Sequence, residues 1–575
     1  MAAYGPQTGA RTDPSGSPPG SVRWPGHEHA PGRPLPPHPD PHRRPVPRRP
    51  YLLARPERRR RAGEPRGWRD RAEGAAQRSA GMSISRREPS EQQRRAAAEL
   101  ITVPPVADEL GQRFAAAGHE LYLVGGSVRD ALLRRPGALL SAGVDPADAR
   151  EQDLDFATSA HPEQTLELLT GWAEATWTTG IAFGTIGAQR RGLRIEITTY
   201  RAEAYDRVSR NPIVRYGTNL DDDLARRDFT VNAMAFSVPG HEFVDPYGGL
   251  VDLAGKTLRT PGAPADSFAD DPLRMLRAAR FAAQLRFDVD PAVRQAIVEM
   301  AADLGRITAE RIRDELTKLL IGADPVAGLR LLVDTGLAEV FLPELPALRM
   351  QIDEHAQHKD VYEHTLTVVN NAVRLEGPDG PDFILRMAAL MHDIGKPATK
   401  AIGADGGVSF HHHEVVGARM TRHRMKALKF SKDTITQVSR LVALHLRFYG
   451  YGRGEWTDSA VRRYVTDAAE LLPRLHKLVR SDCTTRNRRK AAGLARDYQA
   501  LEDRIDRIQA EEDLARVRPD LDGNAIMKLL DIPPGPAVGA AWKYLKELRL
   551  ERGPLPPDEA EAELFRWARD QGIIA

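Results

Sequence analysis

The sequence of 575 residues contains a single cysteine, Cys483. One cysteine excludes an intramolecular disulfide framework and a cysteine-built zinc site, and it suits a reducing compartment, which predicts a cytoplasmic protein. The chain also lacks any run of about 20 apolar residues, so it is not predicted to span a membrane. Aromatic residues make up 6% and charged residues 28%, which is compatible with a globular protein. At roughly 150 residues per domain, the length predicts three or four domains.

The net charge of +3 hides an uneven distribution. Residues 1–81 contain 16 arginines, no lysine and 7 acidic residues, a net charge of +9, whereas the remaining 494 residues carry −6. This segment also holds 16 of the 43 prolines. Such a composition cannot bury enough apolar surface to offset its ordering entropy, which predicts a disordered tail. The alternative is that translation starts at Met82, where the composition becomes ordinary, and the N-terminal peptide of the native protein distinguishes the two.

Hydrophobic periodicity predicts two structural regions after this tail. Val106, Leu110 and Phe114 recur every four residues and predict a helix that begins near Pro105. Strands are predicted at residues 119–127, 153–157, 185–188 and 193–198. After these strands we predict no others, and from Pro272 to the end the periods are mostly helical. The sequence therefore predicts a mixed α/β module of about 150 residues followed by a long helical region.

Two carboxylates stand at alternate positions of the second predicted strand. Asp153 and Asp155 point to the same side of that strand, because side chains i and i+2 share a face. They repel each other unless a divalent cation lies between them, and oxygen-only ligation of this kind suits the two Mg²⁺ ions of phosphoryl transfer. For an isolated pair a solvated strand edge is the commoner explanation. Here Gly125 and Gly126 form a strand-to-helix turn whose backbone N–H groups can bind phosphate, which favours the metal interpretation.

Two later residues extend this candidate site. Glu196 lies on the last predicted strand and is a candidate third carboxylate, with an ordinary surface glutamate as the alternative. Arg201 lies five residues further along and is placed to meet phosphate.

The residues around these carboxylates form longer motifs. Leu-Val-Gly-Gly-Ser-Val-Arg-Asp at 123–130 and Asp-Leu-Asp-Phe-Ala-Thr at 153–158 resemble the head of class II tRNA nucleotidyltransferases and bacterial poly(A) polymerases. Further motifs follow in the family's order at residues 223–233, 245–252, 270–277 and 310–315. The resemblance covers residues 100–320 closely and continues more loosely to about residue 490. It implies an α+β fold, in which a small mixed nucleotidyltransferase head like that of DNA polymerase β precedes a helical neck, an HD-domain body and a tail. The bounds that we predict are 1–81 for the disordered tail, 90–250 for the head, 251–335 for the neck, 336–490 for the HD domain and 491–575 for the C-terminal tail.

The resemblance also implies a reaction and its residues. The 3′-hydroxyl of an RNA attacks the α-phosphate of a nucleoside triphosphate, pyrophosphate leaves, and Asp153 and Asp155 hold Mg²⁺. Asp271 and Arg274, predicted at i and i+3 of one helix, present a carboxylate and a guanidinium to the edges of C and A. The alternatives are a surface ion pair for these two and a solvated basic turn for Arg226 and Arg227. The full implied nucleotide-binding set is Gly125, Gly126, Arg129, Arg201, Asp223, Arg226, Arg227, Asp228, Asn232, Asp271, Arg274 and Arg277, with Arg280 and Arg311 as secondary candidates.

Two departures from the family pattern stand out. Residues 137–150 are extra sequence between the glycine turn and the carboxylate pair, and their composition predicts a surface loop. Asp270 stands where the family usually has glutamate, which puts a supporting role in doubt.

A second set of ligand-type residues lies in the helical region. His364, His392-Asp393 and Asp482 resemble the HD domain, in which such residues bind a divalent metal between helices. Imidazole with carboxylate suits Ni, Mn, Co or Fe. His413 and His445 would extend the site, although a solvated histidine-rich turn is the alternative for 411–413. The hypotheses are a phosphohydrolase acting on phosphate esters at RNA ends, and a structural body that retains the ligands.

The family resemblance predicts addition or repair of the 3′-terminal CCA of tRNA from CTP and ATP, without a nucleic acid template. A poly(A) polymerase acting on RNA 3′ ends is the alternative, because it shares nearly every motif. A binding protein with an inactive head is a third class, which the presence of both aspartates disfavours. The basic runs at 422–426 and 486–490 could contact tRNA phosphates or form solvated helix faces. A short helical unit at 525–530 is predicted near the end of the fold, where tails of this family touch the tRNA elbow.

Removing residues 1–81 is expected to leave CCA addition intact, because every motif above lies outside that tail. The initial rate of nucleotide incorporation into tRNA, compared between the full chain and a chain starting at Met82, measures this. A large loss of rate in the shortened chain would show that the basic tail takes part in the reaction.

Overall fold

The computed structural model describes residues 89–133, 153–202, 215–217, 219–350, 360–378, 380–404, 407–448, 451, 456–485, 487–511 and 518–574. The predicted tail 1–81 and the predicted surface loop 137–150 lie outside the described residues. Among the described helices, none combines the length and the apolar character needed to cross a bilayer.

A seven-stranded sheet forms the centre of the head. Across the sheet the strands follow the order β3 (Ala175–Trp177), β4 (Thr185–Arg190), β5 (Leu193–Thr199), β2 (Asp153–Thr158), β1 (Leu121–Val124), β8 (Ala235–Ser237) and β9 (Phe243–Val244). Strands β2 and β5 are parallel, and the other neighbours pair antiparallel. The four predicted strands are confirmed. The expectation that no strand follows them is wrong, because β8 and β9 complete the sheet, and β3 was also missed. These strands have two or three residues, too few to show a period of two.

Helices α1–α5 lie in the same head region, at Glu91–Leu100, Pro105–Ala116, Gly126–Leu133, Pro162–Leu169 and Leu220–Ala225. The predicted helix at Pro105 is α2, and Val106, Leu110 and Phe114 are buried on one of its faces. The small pairs β6 (Arg201–Ala202) with β7 (Arg215–Tyr216), and β10 (Thr257–Leu258) with β11 (Asp288–Val289), form separate two-stranded sheets.

Helix α8 (Leu273–Leu285) is the central element of the next region. Its residues are nearly all buried, and it packs against the helices that follow it. The other helices of this region are α6 (Gly249–Ala254), α7 (Pro264–Asp270), α9 (Pro291–Met300), α10 (Ala309–Leu320), α11 (Pro325–Asp334) and α12 (Leu337–Phe341).

The rest of the described chain is helical apart from the short pair β12 (Ala401–Ile402) and β13 (Val408–Ser409). Seven helices form its first part: α13 (Val361–Arg374), α14 (Phe383–Met391), α15 (Lys396–Thr399), α16 (His413–Ala427), α17 (Lys432–Leu444), α18 (Asp458–Ala468) and α19 (Leu472–Asp482). Four more helices follow: α20 (Arg488–Glu511), α21 (Gly523–Leu530), α22 (Pro536–Arg552) and α23 (Pro557–Asp570). The last three surround a small core of their own, whereas one continuous core extends from Ala97 to Ile508. The domain bounds given above remain predictions.

Candidate functional site

Both aspartates of the carboxylate pair lie on β2, one of the two parallel strands at the centre of the head sheet. Asp153 is the first residue of β2 and Asp155 the third, so the two positions share one face of the sheet. The parallel register pairs Asp155 with Glu196 of β5. Paired residues of neighbouring strands lie on the same face, which adds the Glu196 position to that of the two aspartates. The sheet therefore places three acidic positions together.

The glycine turn packs directly against this strand. The backbone N–H of Asp155 donates to Oγ of Ser127, 3.3 Å away, in the first turn of α3. Gly125 has a φ of +69°, and a Cβ there would lie 2.9 Å from Nη1 of Arg227. This turn therefore requires glycine, and it brings the N-terminal N–H groups of α3, where phosphate can bind, beside strand β2.

Arg226 and Arg227 are held by one buried carboxylate. Asp223 accepts from Arg226 at 3.2 Å and from Arg227 at 2.9 Å, and its side chain is 1% exposed. Burial opposes ionisation of Asp223, but the two guanidinium groups outweigh it and lower its pKa. Arg226 and Arg227, for which a solvated basic turn was the alternative, are thus an ordered pair of cations, and Arg227 lies beside the glycine turn.

A chain of hydrogen bonds connects the glycine turn to the buried helix α8. Arg129 donates to Oδ1 of Asn232 at 2.6 Å, and Asn232 donates to Oδ1 of Asp228 at 2.9 Å. Arg277 on α8 then donates to Oδ2 of Asp228 at 2.7 Å. Four residues predicted to bind the nucleotide therefore form one buried network.

Two residues that the sequence reasoning did not single out extend this network. Glu315 on α10 lies 2.6 Å from Nε of Arg280 and 3.8 Å from Nη1 of Arg277. The buried ring of Phe281 has the guanidinium carbons of Arg280, Arg129 and Arg277 at 3.9, 5.2 and 5.6 Å from its centroid. The signal in the sequence was helical spacing, since positions 277, 280 and 281 fall on one face of α8.

Asp271 and Arg274 do not share a helix, contrary to the prediction. Asp271 lies between α7 and α8, where its carboxylate accepts from the N–H of Leu273 at 3.1 Å and from Arg311 at 2.7 Å. Arg274 lies on α8 and donates to Oγ of Ser267 at 2.9 Å. Asp271 is instead the C-cap of α7, and its extended backbone interrupts the helix before α8 begins at Leu273. Both side chains still lie at the junction of α7 and α8, and Asp270 is the last residue of α7.

Arg201 lies on β6, at the side of the sheet that carries β4. Its Nη2 donates to Oγ1 of Thr185 at 3.1 Å. The Glu196 carboxylate accepts from Arg194, 3.3 Å away, so it is partly neutralised. The roles of Arg201 in phosphate binding and of Glu196 as a third carboxylate remain predictions.

Replacing Asp228 with asparagine is expected to make the free energy of unfolding fall less steeply as the pH is lowered. Burial raises the pKa of Asp228, but Arg277 and the hydrogen bonds from Asn232 and Phe229 outweigh it and lower that pKa from 3.8 to about 2. A depressed native pKa stabilises the fold above pH 3.8, and this contribution, roughly 2 kcal/mol, is lost as the pH falls towards 2. Urea unfolding between pH 6 and pH 2.5 measures it, with exposed Asp266→Asn as control. If the difference in unfolding free energy between the wild type and the variant were the same at every pH in this range, the lowered pKa of Asp228 would be contradicted.

Six ligand-type side chains converge from five helices in the second half of the chain. His364 is on α13, His392 ends α14 and is followed by Asp393, His413 begins α16, His445 ends α17 and Asp482 ends α19. The described structure thus brings together every predicted residue of this site. Gly395 allows the close approach, because a Cβ there would lie 2.2 Å from the carbonyl oxygen of His413.

Hydrogen bonds fix the orientation of the four imidazoles. Nδ1 of His392, His413 and His445 donates to a carbonyl oxygen three residues earlier, at 2.7–2.8 Å, and Nδ1 of His364 lies 3.1 Å from Oγ1 of Thr484. These bonds leave Nε2 of each ring facing the carboxylates. Metal-binding histidines are commonly oriented in this way, by a hydrogen bond from the ring nitrogen that does not bind the metal. Nε2 of His392 and of His413 is buried and makes no hydrogen bond among the described residues. Such orphaned nitrogens fit a divalent cation.

The ionised carboxylates of this site also suit a metal. Burial opposes ionisation of Asp393 and Asp482, but neighbouring histidines outweigh it, so the pKa of Asp393 is well below its ordinary value and that of Asp482 is lowered to about 2. Burial and the charge of His392 lower the pKa of His445 to about 4. Burial lowers the pKa of His392, but Asp393 and Asp482 outweigh it and raise that pKa. Carboxylates that stay ionised are the form that binds metal.

Three family models match the chain in succession. They are the poly A polymerase head domain at residues 121–259, the probable RNA and SrmB-binding site of polymerase A at 286–348, and the HD domain at 361–486. Many of the residues of the first site lie in the head match, and all six ligand-type residues lie in the HD match.

Whole-protein relatives extend these matches. The A-adding tRNA nucleotidyltransferase of Deinococcus radiodurans is 38% identical over 360 residues, which cover 61% of this chain and 80% of the relative. The CCA-adding enzyme of Streptococcus suis is 31% identical over 456 residues, 79% of this chain and 94% of the relative. The fold is also similar to that of the Bacillus stearothermophilus CCA-adding enzyme in complex with CTP, with a TM-score of 0.57, 24% identity, and 82% of this chain and 99% of that chain covered. The chain therefore belongs to the bacterial family of CCA-adding tRNA nucleotidyltransferases and poly(A) polymerases, with an HD domain after the head.

Proposed function

We propose that this protein adds or repairs the 3′-terminal CCA of tRNA, using CTP and ATP and releasing pyrophosphate. The observation that carries the proposal is the register of Asp155 with Glu196, with the Gly125–Gly126 turn packed against the same strand. The chain covers 80% of a relative named A-adding tRNA nucleotidyltransferase and 94% of a relative named CCA-adding enzyme. A protein with this role works in the cytoplasm.

Nucleotidyl transfer by this family depends on a divalent metal, and the acidic positions fit Mg²⁺, the hard cation that prefers carboxylate oxygen. Asp153 and Asp155 would hold Mg²⁺, which when bound would activate the attacking hydroxyl and neutralise charge on the triphosphate. The glycine turn and Arg227 bind the phosphates, and Asp228 with Arg129 orients the sugar. Asp271 and Arg274 face the base, where a carboxylate and a guanidinium match the donor and acceptor edges of C and A.

A tRNA extension assay tests the proposal. Transcripts ending before CCA, and transcripts ending in CC, are incubated with CTP alone, ATP alone or both. We expect two C residues and then one A. Addition of A only to the CC-ended tRNA would instead indicate an A-adding enzyme like the D. radiodurans relative. Long A tracts on unrelated RNA would indicate a poly(A) polymerase, and no incorporation would indicate an inactive head.

Exposed basic residues supply candidate tRNA contacts. Arg422 and Lys426 are exposed on α16, and Arg488, Arg489 and Lys490 are exposed at the start of α20. Arg424, by contrast, pairs with Glu344 at 2.9 Å and is not available to RNA. Contacts of these side chains with phosphates make tRNA binding weaker as salt rises.

The complete ligand set supports a second activity at the HD site. In this second activity the HD site hydrolyses phosphate esters at RNA ends, such as a 2′,3′-cyclic phosphate, with a transition metal such as Ni, Mn, Co or Fe. Water supplies the oxygen for a new P–O bond, one ester P–O bond breaks, and the released ribose hydroxyl takes a proton. Turnover of a 2′,3′-cyclic nucleotide with added nickel, compared between the wild type and His392→Ala, tests this. Equal turnover in the two proteins would exclude the activity.

A further inference from the structure

A stack of two side chains lies on the sheet of the head, and we propose that it binds the last base of the RNA whose 3′-hydroxyl attacks the nucleotide. The stack is formed by the indole of Trp177, at the end of β3, and the guanidinium of Arg194, on β5. This inference rests on the nucleotidyl transfer proposed above. It adds a position for the RNA end and two residues that hold it there.

The register of the strands places Trp177 on the face that carries the acidic positions. Trp177 pairs with Gly187 of β4, and Gly187 pairs with Glu196 of β5. Glu196 pairs in turn with Asp155 of β2. Because paired residues of neighbouring strands share a face, these four positions form one row across the sheet. With neighbouring strands about 4.8 Å apart, Gly187 lies roughly 10 Å from Asp155.

The indole ring lies directly over Gly187. A Cβ at that position would overlap Nε1 and Cε2 of Trp177, so the ring can lie there only because the residue is glycine. The ring therefore extends from β3 over β4, towards the carboxylates. The distance that remains is one that a single nucleotide can span between a stacked base and a metal-bound 3′-hydroxyl.

Arg194 lies over this ring. Its guanidinium carbon is 5.2 Å from the ring centroid, within the range of a cation–π contact. Nη2 of the same side chain is 3.3 Å from Oε1 of Glu196, which connects the stack to the acidic row. The Arg194 side chain is 56% exposed, and RNA bases stack on guanidinium planes as well as on aromatic rings. The stack can therefore receive a base from the solvent side.

The place of the stack in the sheet favours the RNA end over the incoming nucleotide. The glycine turn, which is proposed to bind the triphosphate, follows β1 on one side of β2, whereas β5, β4 and β3 lie on the other side. In an in-line displacement the attacking and leaving oxygens lie on opposite sides of the phosphorus. With pyrophosphate leaving on the β1 side, the attacking nucleotide approaches from the side of Trp177.

Stacking also suits an RNA end whose last base changes during the reaction. In CCA addition that base is first the one that precedes CCA, then the first C and then the second C. Every base has a π-face, so one aromatic and guanidinium platform accepts all of them without reading their hydrogen-bonding edges. The platform would thus position the 3′-hydroxyl, while selection of C or A is left to the residues that face the incoming base.

Removing the ring tests the proposal through kinetics. Trp177→Leu keeps an apolar cover on Gly187 but has no π-face, and thermal unfolding checks that it folds. We expect kcat/KM for tRNA lacking CCA to fall about tenfold to hundredfold, the effect of losing one base–aromatic stack. KM for CTP is expected to be unchanged, and Trp177→Phe, which keeps a ring, is expected to retain most of the activity. A wild-type kcat/KM in Trp177→Leu, or a defect confined to KM for CTP, would overturn the proposal.

A tRNA whose last nucleotide is abasic identifies the partner of the ring. It keeps the attacking 3′-hydroxyl but has no base to stack. The wild type is expected to lose about the same factor on this RNA as Trp177→Leu loses on the normal one, and the two changes together are expected to cost little more. Losses that multiply would show that Trp177 acts only by supporting the sheet. Trp542→Leu is the matched control, because Trp542 is exposed on α22, outside the head. Any loss in that variant should be the same factor on both RNAs.

Fluorescence separates this proposal from the proposed function. A tRNA that lacks CCA and carries 2-aminopurine as its last base is bound without nucleotides, and stacking of that base quenches its emission. We expect quenching by the wild type and Trp177→Phe, and much less by Trp177→Leu. Quenching without any nucleotide incorporation would overturn the proposed function and support the RNA-end site. Incorporation with equal quenching by all three proteins would overturn the RNA-end site alone.

Discussion

Replacing Asp155 with asparagine is expected to lower the rate of nucleotide addition to tRNA by about 10³-fold or more. Asp155 lies beside Glu196 at the third position of β2, and its backbone N–H contacts Ser127 of the glycine turn. Loss of one metal-holding carboxylate removes several kcal/mol of transition-state stabilisation, and each 1.4 kcal/mol is a factor of ten in rate. Single-turnover incorporation of CMP into tRNA measures the effect.

Glu163→Gln is the control for charge removal, since Glu163 is exposed on α4 of the same head region. It is expected to keep the wild-type rate. Hydrolysis by the HD site should be unchanged in Asp155→Asn, which separates a local defect from misfolding. Nucleotide addition within tenfold of wild type would show that Asp155 is not a metal ligand.

Replacing Glu315 with glutamine is expected to destabilise the protein by about 3–5 kcal/mol, because it leaves a buried cation without its partner. The Glu315 side chain is 6% exposed and lies 2.6 Å from Nε of Arg280, which is 10% exposed. Burial lowers the pKa of Arg280 to about 10, and Glu315 opposes that shift. Urea unfolding, followed by a signal from this part of the chain, measures the change.

Glu310→Gln on the same helix is the matched control, because Glu310 is exposed. Its effect is expected to stay within about 0.5 kcal/mol. A double variant that also carries Arg280→Gln should lose less stability than the two single variants together, because the pair is coupled. Additive losses would mean that Glu315 stabilises the fold by packing and not by its charge.

The fold class and the family could be predicted from the sequence, because the motifs that indicate them are local. A glycine turn, an Asp-x-Asp strand and an HD pair each depend on a few consecutive residues whose geometry the backbone period sets. The four predicted strands and helix α2 are confirmed for the same reason. Local periodicity does not predict elements of two or three residues such as β8 and β9. These segments are strands because β8 pairs with β1 and β9 pairs with β8.

The prediction that Asp271 and Arg274 lie on one helix is wrong for a related reason. Spacing of three residues fits a helix, but Asp271 lies just after the end of α7, and its partner Arg311 is 40 residues away. Because the backbone of Asp271 is extended between two helices, the helical period does not apply to this pair. The assigned roles of these residues remain predictions.

The sequence by itself determined which residue types are available: a carboxylate pair beside a phosphate-binding turn, four histidines with two aspartates, and a basic tail apart from both. Only the tertiary structure decided how they combine. It joined Arg129, Asp228 and Arg277 into one network through Asn232, added Glu315, and brought the six HD ligands together. These contacts join residues up to 120 positions apart, as His364 and Thr484 show. Packing of the helices sets such distances, and spacing along the chain does not.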